Sequence, residues 1–252
     1  MRTKVIAVIN QKGGEGKTTT VRNLSYILAV KGKKVLTIDM DSQGNLTTNC
    51  DLLKRKLETI VDVFKGEKEI NEVIINVQKN LDHIPNNIKM SKFGLYHDKS
   101  AGWSELLKEA IEPIKSNYDY IFIDCPPALE FATYNALEAA DDIIITLQAE
   151  ENSIEGIADL LDSVNEIREA TNENLNIMGI VVTKFKKATK LQNQFHDMLK
   201  NHFGDAVFNT IIRDNIKIAE ANYNHKSVVE LDKNSNGAKD YLSLAKEVLE
   251  RV

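Results

Sequence analysis

Disulfides, membrane spans and flexible tethers find little material in this sequence. Its 252 residues include only two cysteines, Cys50 and Cys125, too few for a disulfide framework and in keeping with a reducing cytoplasm. No uncharged run approaches the roughly 18 to 20 residues of a spanning helix. The first apolar run, Val5 to Ile9, is too short for a secretory signal and leads into a glycine-rich loop. No internal repeat, low-complexity tract or Pro/Gly-rich linker divides the chain, so a single domain over residues 1–252 is expected. An excess of positive charge is also missing. Formal net charge is -5 and the pI about 5.6, so any contact with DNA has to come from a local patch.

What is present is alternation. Short β-branched runs take turns with amphipathic stretches, the pattern of βαβ units around a parallel sheet. Strands are expected at 4–10, 34–39, 81–85, 120–125, 142–148, 177–183 and 207–212, and helices at 17–31, 104–117, 128–140, 154–170, 189–203 and 238–251. Several strands are apolar on both faces, as buried parallel strands are. The stretch from 50 to 100 is the least periodic and is expected to hold short peripheral elements. The fold class is α/β, with a mostly parallel twisted sheet of about seven or eight strands and helices on both faces.

Between the first strand and the first helix stands "INQKGGEGKTTT". A strand, a glycine-rich turn and a helix starting near Lys17 form the context of a phosphate-binding loop, whose backbone N–H groups face an anion at a helix N-terminus. The strict pattern G-x-x-x-x-G-K-[ST] fails by one residue, Gln11, while Gly16, Lys17 and Thr18 fit. Gly13, Gly14 and Gly16 would let the backbone take positive φ and approach the phosphates. Lys17 would reach the β- and γ-phosphates, and the Thr18 hydroxyl would ligate Mg²⁺. The chain therefore reads as a P-loop NTPase.

Lys12 to Thr19 resembles the deviant Walker A motif K-G-G-x-G-K-[ST]-T of the ParA/MinD group of partition and positioning ATPases, with small ParA/Soj-type chromosome or plasmid partition ATPases the most similar. The resemblance implies a P-loop ATPase with weak intrinsic activity that forms an ATP-sandwiched homodimer, in which Lys12 reaches the partner's nucleotide. Glu15 is the odd member of this loop. A carboxylate about 4 Å from a phosphate charge would cost roughly 4 kcal/mol at an effective dielectric near 20. Glu15 is therefore expected to contribute its backbone N–H and to turn its side chain away from the nucleotide, toward solvent or the dimer partner.

Two acidic segments accompany the loop. In "TIDMDSQGNLT" Asp39 and Asp41 lie two residues apart, on one side of an extended chain at a strand's C-terminal end. The segment looks like the family's D-x-D-x-Q-G-N, which implies that Asp41 orients the attacking water and that Asp39 supports Mg²⁺ and the loop. "YIFIDCPP" is a hydrophobic strand ending in Asp124, the form of a Walker B segment whose acid holds Mg²⁺. Pro126 and Pro127 force an extended exit. "QAEENSIEG", from Gln148, resembles a segment that lines the dimer face in the family, with Gln148 and Glu150 either serving there or acting as plain strand-end polar residues.

For the base, "VVTKFKK" carries Lys186 where guanine-specific proteins of this class have an aspartate, which favours adenine. The family's I-P-R-N loop appears as "IIRDN", making Arg213 and Asn215 candidates for the adenine side, with Ile212 in place of proline. The resemblance also implies nonspecific DNA binding by the dimer. Ala188 stands at the family's arginine, but Lys184, Lys186, Lys187 and Lys190 make the neighbourhood basic. A C-terminal membrane helix of the MinD type is not expected, because the polar face of 238–251 mixes acids and bases. Cys50 and Cys125 are not spaced as iron–sulfur ligands.

The function expected is a Mg-ATP-dependent dimerising ATPase for DNA partitioning or intracellular positioning. It would be stimulated by a ParB-like protein, cytoplasmic, and nucleoid-associated if it binds DNA. Because no segment precedes the first strand, the operator-binding domain of larger plasmid ATPases is expected to be absent. The alternative is a nucleotide-switched regulatory or scaffold protein, MinD-like or serving a protein cluster, without DNA binding.

Overall fold

The structure, a computed structural model, describes residues 2–52, 57–97, 102–150 and 153–252. Seven strands form one sheet: β1 (Lys4–Ile9), β2 (Val35–Asp39), β3 (Ile75–Gln78), β4 (Leu81–Ile84), β5 (Tyr120–Asp124), β6 (Asp142–Gln148) and β7 (Asn176–Thr183). Their spatial order is β3-β4-β2-β5-β1-β6-β7, and every pairing is parallel except the β3–β4 edge hairpin. Helices α1 (Lys17–Val30), α2 (Asn45–Asn49), α3 (Ile60–Phe64), α4 (Ile70–Val73), α5 (Lys89–His97) and α6 (Leu106–Lys115) lie between β1 and β5 in the chain. The remaining helices are α7 (Phe131–Ala139), α8 (Ser153–Ala170), α9 (Lys190–Phe203), α10 (Ile216–Tyr223), α11 (Val228–Leu231) and α12 (Asn236–Glu250).

Strand alternation sorts the core into two layers. Val5, Ala7 and Ile9 of β1 face a cluster completed by α3 to α9, while Ile6 and Val8 face one completed by α1, α2 and α10 to α12. β5 divides the same way, with Ile121 and Ile123 on one side and Tyr120 and Phe122 on the other. Both faces are buried, which is why these strands read as continuous apolar runs rather than alternating ones.

The expected strand at 207–212 is not a strand. The segment runs beside β7, with Phe208 N donating to Ile180 O at 2.9 Å and Ile212 N to Val182 O at 2.8 Å. Between these points the amides of Asn209 and Thr210 turn instead to the Glu247 carboxylate of α12, at 2.8 and 2.7 Å, so no ladder forms. β3 went unread because it is a four-residue edge strand, joined to β4 by a turn with Asn80 at φ 65. The C-terminal helix docks on the core, burying Tyr241, Leu244, Ala245 and Val248. No helix among the described residues is long and apolar enough to cross a membrane.

β1 lies between β5 and β6, so the chain leaves β1 toward one side of the sheet and later returns to the other. The crevice at such a switch point, outside the C-terminal strand ends, is where open α/β sheets bind ligands. On β7, Gly179 leaves room for Phe208 and for Arg251, which caps the end of α12: a Cβ there would stand 2.6 Å from both Arg251 Nη1 and a Phe208 ring carbon. Gly179→Ala is expected to cost about 1–3 kcal/mol of overpacking. A thermal melt should show a loss of several degrees, and an unchanged Tm would mean that β7 and α12 have slack.

Candidate nucleotide-binding site

Residues 10–16 leave the end of β1 and curl back onto α1. Gly14 and Gly16 take φ of 81° and 88°, and Gly16 is the helix N-cap. Gly13 does not take a positive φ, contrary to expectation. Lys17 is 6 % exposed and its Nζ donates to the Lys12 carbonyl across the loop at 3.0 Å. Burial lowers the Lys17 pKa, and the nearby Asp124 opposes that shift.

Two neighbouring strands deliver the acids. Asp39 and Asp124 are register partners at the ends of β2 and β5, and both are fully buried. Asp124 Oδ2 accepts from the Thr18 hydroxyl at 2.7 Å, whereas Asp124 Oδ1 is buried with no hydrogen-bond partner. Burial and then the facing Asp39 hold the Asp124 pKa well above the ordinary carboxylate range. Asp39 is filled by its own chain. Its Oδ1 accepts from Asp41 N at 3.0 Å, and its Oδ2 accepts from Thr47 N and Thr47 Oγ1 at 2.9 and 2.8 Å. Burial still pushes Asp39 up to about 7. Closely packed buried carboxylates with an unpartnered oxygen beside a threonine hydroxyl make a hard oxygen set, suited to a Mg²⁺ ion.

Lys17 and Thr18, with the two buried acids behind them, border a cleft of about 740 Å³ lined by residues 13–19, Asp41, Asn45, Pro126, Lys184 and Asn222, among others. Asp41 sits on the wall opposite the loop, its Oδ1 accepting from Gln43 N at 2.9 Å. A smaller pocket continues from Gly16 and Thr19 to Arg213, Asn215 and Asn222. Asn215 caps α10, accepting from Lys217 N. The Arg213 guanidinium is tied to Asp240 of α12 by contacts of 2.6 to 3.1 Å, so it offers the pocket its backbone and stem rather than a free charge. Asn222, whose Nδ2 donates to Thr19 Oγ1 at 3.1 Å and whose Oδ1 is buried without a partner, joins this pocket unforeseen. Nothing in the sequence near Asn222, the penultimate residue of α10, marks it out.

A family model described as an AAA domain matches residues 3–177. The chain is 39% identical over 247 residues to the sporulation initiation inhibitor protein Soj of Bacillus subtilis, covering 97% of this chain and 98% of that protein. It is 36% identical over 252 residues to the chromosome partitioning protein ParA of Caulobacter vibrioides, covering 98% and 94%. The chain belongs to the ParA/Soj-type family of P-loop ATPases. A plasmid partition protein of Borrelia burgdorferi bound to AMPPNP superposes with a TM-score of 0.84 at 28% identity, covering 100% of both chains. Cobyrinic acid a,c-diamide synthase of Mycobacterium smegmatis with an ATP analogue and magnesium gives 0.86 at 28%, covering 98% of this chain and 95% of that one.

Two expectations about this ParA/Soj-type chain need correction. Lys184 is not part of a separate basic face. With φ of 50° it turns to the rim of the nucleotide cleft, its Nζ 4.0 Å from where a Gly14 Cβ would be. Lys186, Lys187 and Lys190 remain exposed outside, with Lys186 3.6 Å from Asp214. Glu15 does turn its carboxylate from the loop, yet not into solvent. The residue is 4 % exposed, and its Oε2 accepts from the backbone N of Gln148 at 2.5 Å. The Gln148 side chain answers by donating to Gly14 O at 3.1 Å, and Thr183 Oγ1 donates to Glu15 O at 2.9 Å. The carboxylate thus pins the loop to the end of β6, accepting an amide at that strand's C-terminal end. Of the segment after Gln148, Glu151 and Asn152 lie outside the described residues.

Burial, opposed by the Gln148 amide, raises the Glu15 pKa above its ordinary 4.5. A raised carboxyl pKa stabilises the fold fully below the unfolded value, and that contribution is lost as pH rises through the folded one. Glu15→Gln keeps an acceptor for Gln148 N and removes the charge. Without nucleotide, this variant should melt above the parent protein near pH 8, and the gap should close as pH falls toward 4.5. A gap independent of pH would assign the effect to packing instead.

Proposed function

We propose that this chain is a Mg-ATP-dependent dimerising ATPase that partitions DNA or positions cargo in the cytoplasm, hydrolysing ATP when a ParB-like partner stimulates it. The observation that carries the reading is that Thr18 and the Asp41 loop line one cleft beside a phosphate loop, with Asp124 bonded to Thr18 directly behind it and one of its oxygens unpartnered. The ATP-analogue complexes of the Borrelia and Mycobacterium proteins support the same ligand for this cleft.

In this reading the N–H groups of residues 13–19 cradle the phosphates, and Lys17 exchanges its bond to the Lys12 carbonyl for the β- and γ-phosphate oxygens. Thr18 and Asp124 would hold Mg²⁺, with Asp39 behind them fixing the loop, and the ion would supply neutralising charge for the phosphates. Asp41 orients the water that attacks the γ-phosphate. Lys12, on the exposed outer side of the loop, serves the nucleotide of a second subunit, where charge developing in the transition state is stabilised. Adenine occupies the pocket bounded by Thr19, Arg213, Asn215 and Asn222. Lys186, Lys187 and Lys190 contact DNA phosphates without reading sequence, two copies adding their contacts in the dimer.

Asp41→Ala should keep ATP binding and ATP-dependent dimerisation and lose most turnover, whereas Lys12→Ala should lose the ATP dimer on size-exclusion chromatography. Normal hydrolysis by Asp41→Ala would remove the water-placing role. ATP-dependent, salt-sensitive retention on nonspecific DNA should fall when Lys187 and Lys190 are both replaced by alanine. A parent dimer that never retains DNA would leave a nucleotide-switched regulatory or scaffold protein.

A further inference from the structure

His83 is fully buried on β4 and has no access to the cleft, yet it is joined to the Asp41 loop by a chain of side chains. Its Nε2 lies 3.1 Å from Thr47 Oγ1, and its Nδ1 lies 2.9 Å from Thr37 Oγ1 on β2. Thr47 Oγ1 in turn meets Asp39 Oδ2 at 2.8 Å, and Asp39 Oδ1 receives the backbone N–H of Asp41. Four residues thus run from the interior of the sheet to the backbone of the residue assigned to the water.

Hydrogen counting orders this chain. A hydroxyl has one hydrogen and two lone pairs. Three donors converge on Asp39, as on an ionised carboxylate, so the Thr47 hydrogen goes there. Thr47 Oγ1 already accepts from Asn86 N at 3.1 Å. Its remaining lone pair can only be filled by a hydrogen on His83 Nε2. A neutral imidazole with Nε2–H has a bare Nδ1, which takes the one hydroxyl hydrogen of Thr37 at 2.9 Å in preference to the Asp82 carbonyl at 3.2 Å. Burial, with Arg22 nearby, holds the His83 pKa down to about 3, so the ring stays neutral.

We propose that His83 is a positioning residue for hydrolysis, locked as the Nε2–H tautomer so that Thr47 keeps its hydroxyl on Asp39 and Asp39 keeps the Asp41 backbone in place. The same strand end grips the loop a second time, since Asn86 Nδ2 donates to Asp41 O at 3.3 Å. β4 therefore serves as the rigid support for a loop whose own residues 40–44 include a left-handed Gly44 pressed 3.0 Å from Asn86 O at its Cβ position. The proposal rests on the reading of Asp41 as the water-orienting residue.

Nitrogen-15 NMR of the full-length protein labelled at histidine, at about pH 8, should show His83 with a protonated Nε2 and a bare Nδ1. A protonated Nδ1 overturns the proposal, whatever the variants do. In steady-state ATPase assays, His83→Leu should lower kcat about tenfold with a much smaller change in KM, because binding of the nucleotide does not use this chain. His83→Gln, which can still donate to Thr47, should recover most of the loss, and Thr47→Val combined with His83→Leu should be no slower than the slower single variant. Unchanged kcat in His83→Leu, or equal damage from leucine and glutamine, overturns it. If Asp41→Ala itself turns over normally, the reading of Asp41 has failed. If Asp41→Ala is inactive while His83→Leu is not, only the inference has failed.

Discussion

Asp39 and Asp124 stand side by side at the ends of adjacent strands, both without solvent. Two like charges so placed repel, and burial makes each harder to ionise. Much of the surrounding structure answers that repulsion. Thr47 and the Asp41 amide surround one carboxylate, Thr18 takes one oxygen of the other, and the Lys17 ammonium approaches from the phosphate loop. One oxygen of Asp124 is left over, buried beside the Thr18 hydroxyl and without a hydrogen-bond partner, so the repulsion between the two carboxylates is only partly answered by the protein's own groups.

Much of this was legible in the sequence because the central strands obey simple rules. β1, β2, β5, β6 and β7 are apolar on both faces, and all but β1 end at polar residues, so their positions and the acids at the tips of β2 and β5 could be read directly. What escaped depends on contacts between distant segments. The 207–212 segment has a strand's composition, but Glu247, far along the chain, takes its amides. The short helices between 45 and 97 bury too few residues apiece to show periodicity. Lys184 reads as one of four basic residues, and only its left-handed backbone turns it to the cleft. His83 lies in an ordinary strand, and nothing near it in sequence reveals its tie to Thr47.

Glu15 shows how a local oddity can have a nonlocal cause. An anion in a phosphate loop looks like an error if the loop is considered alone. Next to β6 it fills a different need, accepting the backbone N–H of Gln148 at that strand's C-terminal end. Gln148 and Thr183 are register partners on β6 and β7, and both reach the loop. The loop's shape is thereby coupled to the half of the sheet that carries α8 and α9, away from the acids.

The last helix has a second duty beyond covering the core. Through Asp240 it holds Arg213, and through Glu247 it holds the strand-like segment that leads to the smaller pocket beside Gly16 and Thr19. A helix that braces a pocket wall from behind is not an interchangeable cover: a change on its inner face at Asp240 or Glu247 would be felt beside Gly16 and Thr19, on the far side of the segment it holds.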